Sequence, residues 1–97
     1  MDANSFTNGP LEAARTRALR ALWHAANGDW TAAHEEAQAG NDAECAWVHA
    51  LLHREEGDQW NAEYWYKKAA KPVFRGSIEQ EREQMIATLL HSQVSNA

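Results

Sequence analysis

The sequence predicts an all-α domain of five antiparallel helices. Apolar residues recur at spacings of three and four along most of the chain, which is the period of an amphipathic helix. No segment of the sequence alternates apolar and polar residues as a half-buried strand does. The chain holds only two prolines and five glycines, so it has few of the turns that many short strands would need. Its 97 residues suffice for one domain with one modest core.

The folded domain is expected to span residues 10–97, after a disordered segment at residues 1–9. Pro10 suits the first turn of a helix, because the N–H that proline lacks would have no helical partner there. This first helix is predicted to end at Asn27 and Gly28, since both residues tolerate the left-handed conformation in which many helices end.

The next four helices are predicted from the residues that cap and stop them. A short carboxylate at the N-cap accepts bonds from free backbone N–H groups, and this role is assigned to Asp29, Asp42 and Asp58. The third helix is apolar on two faces, so it is expected to lie at the centre. Pro72 ends the fourth helix, because a proline disfavours helical conformation in the residue before it. The fifth helix begins at a capping box over residues 77–80, and its apolar stripe contains Ile78, Met85, Ile86, Leu89, Leu90 and Val94.

The chain repeats itself at a spacing of 29 residues, with residues 20–40 aligned on residues 49–69 without a gap. His24 is matched by His53, and the Gly-Asp pair at 28–29 is matched by the same pair at 57–58. The identities fall at the turn and at small packing positions. This distribution is expected when two copies of one helix–turn–helix unit share their geometry.

On these residues the chain resembles the tetratricopeptide class of helical repeats. Ala62, Tyr66 and Ala69 match the small and aromatic positions of that family's second helix. The spacing is shorter than the family's period of about 34 residues, and histidine stands where tyrosine is usual. The resemblance implies a right-handed superhelix of two short helix pairs with the fifth helix as a cap. Separately, residues 47–66 are similar to a run in uncharacterised bacterial and fungal proteins, which implies no activity.

The same resemblance implies a non-enzymatic module that binds a protein or peptide segment. In the tetratricopeptide family the first helix of each pair lines a concave surface, which here would expose Trp47, Leu51 and Arg54, with Leu22 nearby. Tryptophan and arginine are frequent anchors of such surfaces. A competing interpretation assigns Trp47 and Leu51 to the core.

A second hypothesis is a small-molecule or metal site on the third helix. His49 and His53 are four residues apart, so they share one face of that helix, and Glu56 follows one turn later. Imidazole and carboxylate groups both bind divalent metals, and Tyr64 and Trp65 of the next helix would lie close by. The two histidines would equally suit packing between helices, since His24 repeats His53 in the first unit.

No enzyme motif is recognisable in the sequence. His34 and Glu35 begin like a metalloprotease helix, but Gln38 stands where the second histidine is required. There is no glycine-rich phosphate loop and no nucleophile elbow, and Cys45 has no local signature of a catalytic thiol. We therefore predict a protein without catalytic residues and without a cofactor.

Charge and hydropathy narrow the range of partners. The net charge is −5 and the pI is near 5.4, whereas nucleic-acid binding normally needs a basic face. No apolar run approaches the ~20 residues of a membrane span, and the start lacks the features of a signal peptide. These observations predict a cytoplasmic protein that binds neither nucleic acid nor membrane.

The apolar residues predict a core and one contact surface. The five tryptophans stand mostly at helical spacing and are assigned to core packing. Residues 86–90 place apolar side chains on more than one side of the fifth helix. An exposed patch of this kind usually marks a contact, so we predict a homodimer formed through the C-terminal helix.

Overall fold

The computed structural model describes residues 1–95, and it describes side chains as far as residue 93. Its α-helices are α1 (Ala3–Asn8), α2 (Arg17–Ala26), α3 (Trp30–Ala39), α4 (Ala43–Glu55), α5 (Gln59–Ala69) and α6 (Ile78–Ser95). A short 3-10 turn at Leu11–Ala13 precedes α2, and no strand occurs among the described residues. The all-α class is confirmed. The side chain of Val94, which is predicted to belong to the apolar stripe, lies outside the described residues. So do residues 96 and 97, the last two of the expected domain.

The first nine residues differ from the sequence prediction, because they contain the additional helix α1. Asp2 caps this helix by accepting a bond of 2.8 Å from the backbone N–H of Ser5. Phe6 is fully buried, and the Trp23 indole donates a bond of 3.1 Å to the carbonyl of Gly9. A single phenylalanine in a polar stretch gives no helical period, so its tertiary contacts could not be anticipated.

The start of α2 also differs from the prediction. Pro10 precedes the 3-10 turn, and α2 itself begins after Thr16. The Thr16 hydroxyl caps the helix by accepting a bond of 3.1 Å from the backbone N–H of Leu19. Threonine is a good N-cap, but Pro10 is also typical of a helix start. The sequence alone does not show at which of the two residues the helix begins.

The predicted caps and turns between the other helices are confirmed. Asp29, Asp42 and Asp58 each accept a bond from the backbone N–H three residues later, at 3.0, 2.8 and 3.2 Å. Gly28 and Gly57 adopt φ angles of +83° and +81°, a conformation that glycine enters at little steric cost. Local chemistry therefore determines the two Gly-Asp turns.

Helix α4 is the central element, as predicted. Eight consecutive residues, from Cys45 to Leu52, are buried. The helix packs on α3 and α5 and also contacts α2 and α6, while α6 packs on α1, α2 and α4. Four of the five tryptophans lie in or against the core, whereas Trp60 is 81% exposed.

A buried polar network attaches α6 to the rest of the domain. The Arg54 guanidinium donates a bond of 2.6 Å to Oε1 of Glu81 and one of 2.7 Å to the carbonyl of Gly76. The Tyr66 hydroxyl donates to the other carboxylate oxygen of Glu81, which is only 1% exposed. Charged hydrogen bonds in a buried setting are strong, so this network joins α4, α5, α6 and the segment before α6.

Replacing Ala70 with glycine is expected to stabilise the domain by about 0.5–1 kcal/mol. Ala70 ends α5 at φ 57° and ψ 42°, the left-handed conformation, and its Cβ makes that conformation unfavourable. Glycine at the adjacent Ala69, which is helical and buried, is the matched control and should cost about 1 kcal/mol. Urea unfolding monitored by circular dichroism measures the free energy of unfolding of both variants. A destabilised Ala70→Gly variant would contradict this interpretation of the α5 terminus.

Candidate metal centre

The residues predicted to line a peptide groove do not form an open surface. Leu22 and Leu51 are fully buried, and Trp47 is 8% exposed, with the Lys71 ammonium 4.4 Å from the centre of its ring. Arg54 is engaged by Glu81. Trp47 and Leu51 therefore belong to the core, as the competing interpretation has it, and α6 packs on α2 and α4, the helices that carry the four residues.

The exposed apolar patch predicted on α6 is likewise absent from the described residues. Met85, Ile86, Leu89 and Leu90 are between 0% and 7% exposed. Their burial follows from the packing of α6 on three other helices. The homodimer stays a prediction, but the apolar patch that motivated it is part of the core.

Three histidines from two helices meet beside α4. His49 and His53 share a face of α4, and α3 adds His34. One ring nitrogen from each lies within 4.8 Å of the others, and the Nε2 atoms of His34 and His49 are 3.1 Å apart. His49 is buried and the other two are half-buried. The sequence predicts the pair on α4 but not the third histidine, because His34 belongs only to an incomplete motif with Gln38 in place of a second histidine.

Aromatic stacking fixes the orientation of the three imidazole rings. The Trp65 ring lies parallel to that of His49 at 3.9 Å between centroids, and His53 is parallel to His49 at 4.9 Å. His34 meets His49 edge-on, at an angle of 87°, and stacks on Trp30 at 4.8 Å. Each of the three imidazole rings therefore packs against at least one aromatic neighbour.

Glu56 forms a hydrogen bond with the imidazole of His53. Its Oε1 lies 2.9 Å from His53 Nδ1. A carboxylate can only accept, so Nδ1 carries the proton and Nε2 of the neutral ring keeps its lone pair. A histidine–carboxylate pair of this type is the usual support of a metal-binding imidazole. Glu56, proposed from sequence as a ligand beside His49 and His53, therefore orients His53 and does not complete the three-histidine cluster.

The environment of His49 favours its neutral form. Burial, followed by the proximity of His34 and His53, lowers the pKa of His49 to about 4. The neutral ring retains a lone pair at neutral pH, as a metal ligand must. In the 3.1 Å contact between His34 and His49 one Nε2 atom donates and the other accepts, so a cation could take the place of the shared proton.

The histidine cluster borders an open groove of about 690 Å³ between α3, α4 and α5. Trp65 and Lys68 of α5 form one wall, and Gln38 and Asn41 lie at the end of α3. Trp65 is thus close to the histidines, as the second hypothesis predicted. Tyr64 meets Trp65 edge-on at 5.2 Å and is 52% exposed, so it is only a neighbour of the site.

Comparison with protein-family models, with curated proteins and with solved structures finds no match to this chain. Within the described part of the chain, no helix is both long and apolar enough to cross a membrane.

Proposed function

We propose that this protein binds one divalent transition-metal ion through His34, His49 and His53. The observation that carries the proposal is the meeting of three ring nitrogens at the side of an open groove. Neutral imidazoles suit zinc, nickel, copper and cobalt, whereas magnesium and calcium prefer oxygen ligands. We propose binding as the role of the site, without a catalytic step.

The spacing of the three nitrogens is close to that of a tetrahedral site. Zinc–nitrogen bonds of about 2.0–2.1 Å place tetrahedral ligand atoms about 3.3–3.4 Å apart. The Nε2 atoms of His34 and His49 are already 3.1 Å apart, and no pair among the three exceeds 4.8 Å. The His49 and His53 rings are parallel, and a metal lies near the plane of each imidazole that binds it, so one of these two rings would have to rotate out of its stack to share the ion.

The neighbouring residues support this use of the histidines. Glu56 accepts a hydrogen bond from Nδ1 of His53 and so orients that ring. Trp30, which stacks on His34, is anchored by its own bond of 2.9 Å to the carbonyl of Leu52. The ligand set therefore has both a carboxylate and an aromatic support, as positioned sites require.

We further infer that α2–α3 and α4–α5 are two copies of one tetratricopeptide-like unit. Both turns have the same geometry, with Asp29 at φ −106° and ψ 79° and Asp58 at φ −106° and ψ 76°. Each aspartate also donates its backbone N–H to the backbone carbonyl of the histidine five residues earlier, at 2.9 and 2.8 Å. In this proposal α1 and α6 are additions to the repeat. A peptide partner and a cytoplasmic location stay predictions from the sequence.

Equilibrium dialysis of the untagged protein tests the proposal. We expect one Zn²⁺ per chain with a dissociation constant of about 1 µM or lower, and no comparable uptake of Mg²⁺ or Ca²⁺. A control variant with His24→Ala and His91→Ala removes two histidines outside the cluster and should bind as the original does. Uptake below stoichiometry, or uptake that survives His34→Ala with His53→Ala, would refute the site.

A further inference from the structure

The three histidines come from α3 and α4, whereas the groove beside them is bounded on its third side by α5. A zinc-type ion that has three protein ligands completes its sphere with a fourth, exogenous one. His34, His49 and His53 all line the groove, so a ligand in the groove could reach an ion bound to them. The following inference rests on the metal site proposed above.

The charges around the groove favour an anionic ligand. Three neutral imidazoles leave the two positive charges of the ion uncompensated, and the Lys68 ammonium adds a third. That ammonium lies 5.4 Å from the Trp65 ring centre and 5.7 Å from the Tyr64 ring centre. Asp42 is the acidic residue that lines the groove, and its carboxylate already accepts a bond of 2.8 Å from the backbone N–H of Cys45. Even with Asp42 and the Glu56 carboxylate bound to His53 counted, the groove with its ion carries net positive charge.

The walls of the groove indicate the chemistry of the part of the ligand beyond its anionic group. Ala37, Ala43 and Ala46 line it together with the Trp65 ring, and the amides of Gln38 and Asn41 stand at its edge. The volume of about 690 Å³ is in the range of small-molecule sites. Small apolar walls suit a short hydrocarbon or aromatic body, which inorganic phosphate lacks.

We propose that the metal-loaded groove binds a small carboxylic acid with an apolar body. One carboxylate oxygen occupies the fourth coordination position of the ion, and the Lys68 ammonium compensates the negative charge. The apolar body of the ligand lies against the alanines and Trp65. Lys68 gives this site its preference for anions.

Cobalt(II) replaces zinc in such sites and makes the coordination sphere visible, so the probe is benzoate added to the protein loaded with one equivalent of Co²⁺. We expect a saturable change in the visible absorption bands. Benzamide, which has the same shape without the charge, should leave the bands unchanged at equal concentration. Inorganic phosphate should bind at least about tenfold more weakly than benzoate, because it gains nothing from the apolar walls.

Two lysine variants provide the matched comparison. Lys68→Gln should weaken benzoate binding about tenfold, as the loss of one charge-assisted contact does, and it should leave Co²⁺ affinity within about twofold, since Lys68 is not a ligand. Lys67→Gln changes an exposed neighbour outside the groove and should have no effect on benzoate.

The possible results separate the two proposals. If no cobalt spectrum develops, the metal site itself fails. If cobalt binds but benzoate leaves its spectrum unchanged, only the ligand inference fails. Equal binding of benzamide, phosphate as tight as benzoate, or equal effects of the two lysine variants would also overturn the assignment of a carboxylate to this groove.

Discussion

Replacing His34 with alanine is expected to weaken Zn²⁺ binding by at least about 100-fold, or about 2.7 kcal/mol. The change removes the only ligand that α3 contributes and leaves two histidines on α4. Loss of a supporting residue alone typically costs 10–100-fold in metal affinity, so loss of a ligand should cost at least as much. Competition with a chromogenic chelator measures the dissociation constant.

Two further variants make the His34 result specific. Glu56→Gln keeps the shape of the side chain but weakens the bond to His53 Nδ1, and should reduce affinity about tenfold. His24→Ala removes a histidine that lies outside the cluster and should not change affinity. Thermal unfolding of the metal-free variants establishes that each is folded. A folded His34→Ala protein that binds zinc as tightly as the original would show that His34 is no ligand.

Replacing Glu81 with alanine is expected to destabilise the domain by about 3–4 kcal/mol. The carboxylate is 1% exposed and accepts from both Arg54 and Tyr66. Its removal leaves a guanidinium with a side-chain exposure of 14% and a buried phenol without their shared acceptor. An uncompensated buried charge is among the most costly defects in a small domain.

Urea unfolding of matched variants tests the role of Glu81. Glu83→Ala changes an exposed glutamate on the same helix and should shift the free energy of unfolding by less than about 0.5 kcal/mol. Tyr66→Phe removes one donor and should cost about 1–2 kcal/mol. If Glu81→Ala cost no more than Glu83→Ala, the network would not be what attaches α6 to the domain.

The local parts of the fold could be predicted from the sequence because their signals are local. An aspartate cap or a Gly-Asp turn depends on neighbouring backbone groups, and both occur where expected. Helix α1 was missed since Phe6 is buried by contacts with distant elements. Helix propensity and hydrophobic period are local properties of the sequence, so they carry no information on contacts with distant elements.

Only the part of the candidate site that lies on a single helix could be predicted from the sequence. His49 and His53 are four residues apart, so their proximity follows from helix geometry alone. His34 joins them because α3 packs on α4, and Glu56 bonds to Nδ1 of His53. The tetratricopeptide resemblance placed Leu51 on an open surface with Leu22 nearby, and nothing in the sequence indicates that α6 packs on the helices that carry them.

X-ray absorption at the zinc edge, on protein loaded with one equivalent of Zn²⁺, shows whether His34, His49 and His53 bind the same ion. We expect four light ligand atoms at about 2.0–2.1 Å, with multiple scattering from three imidazole rings. The same measurement on His34→Ala should show two imidazoles. A spectrum of zinc bound mainly by water and carboxylate oxygens, or one unchanged by His34→Ala, would contradict the assignment of a metal site to His34, His49 and His53.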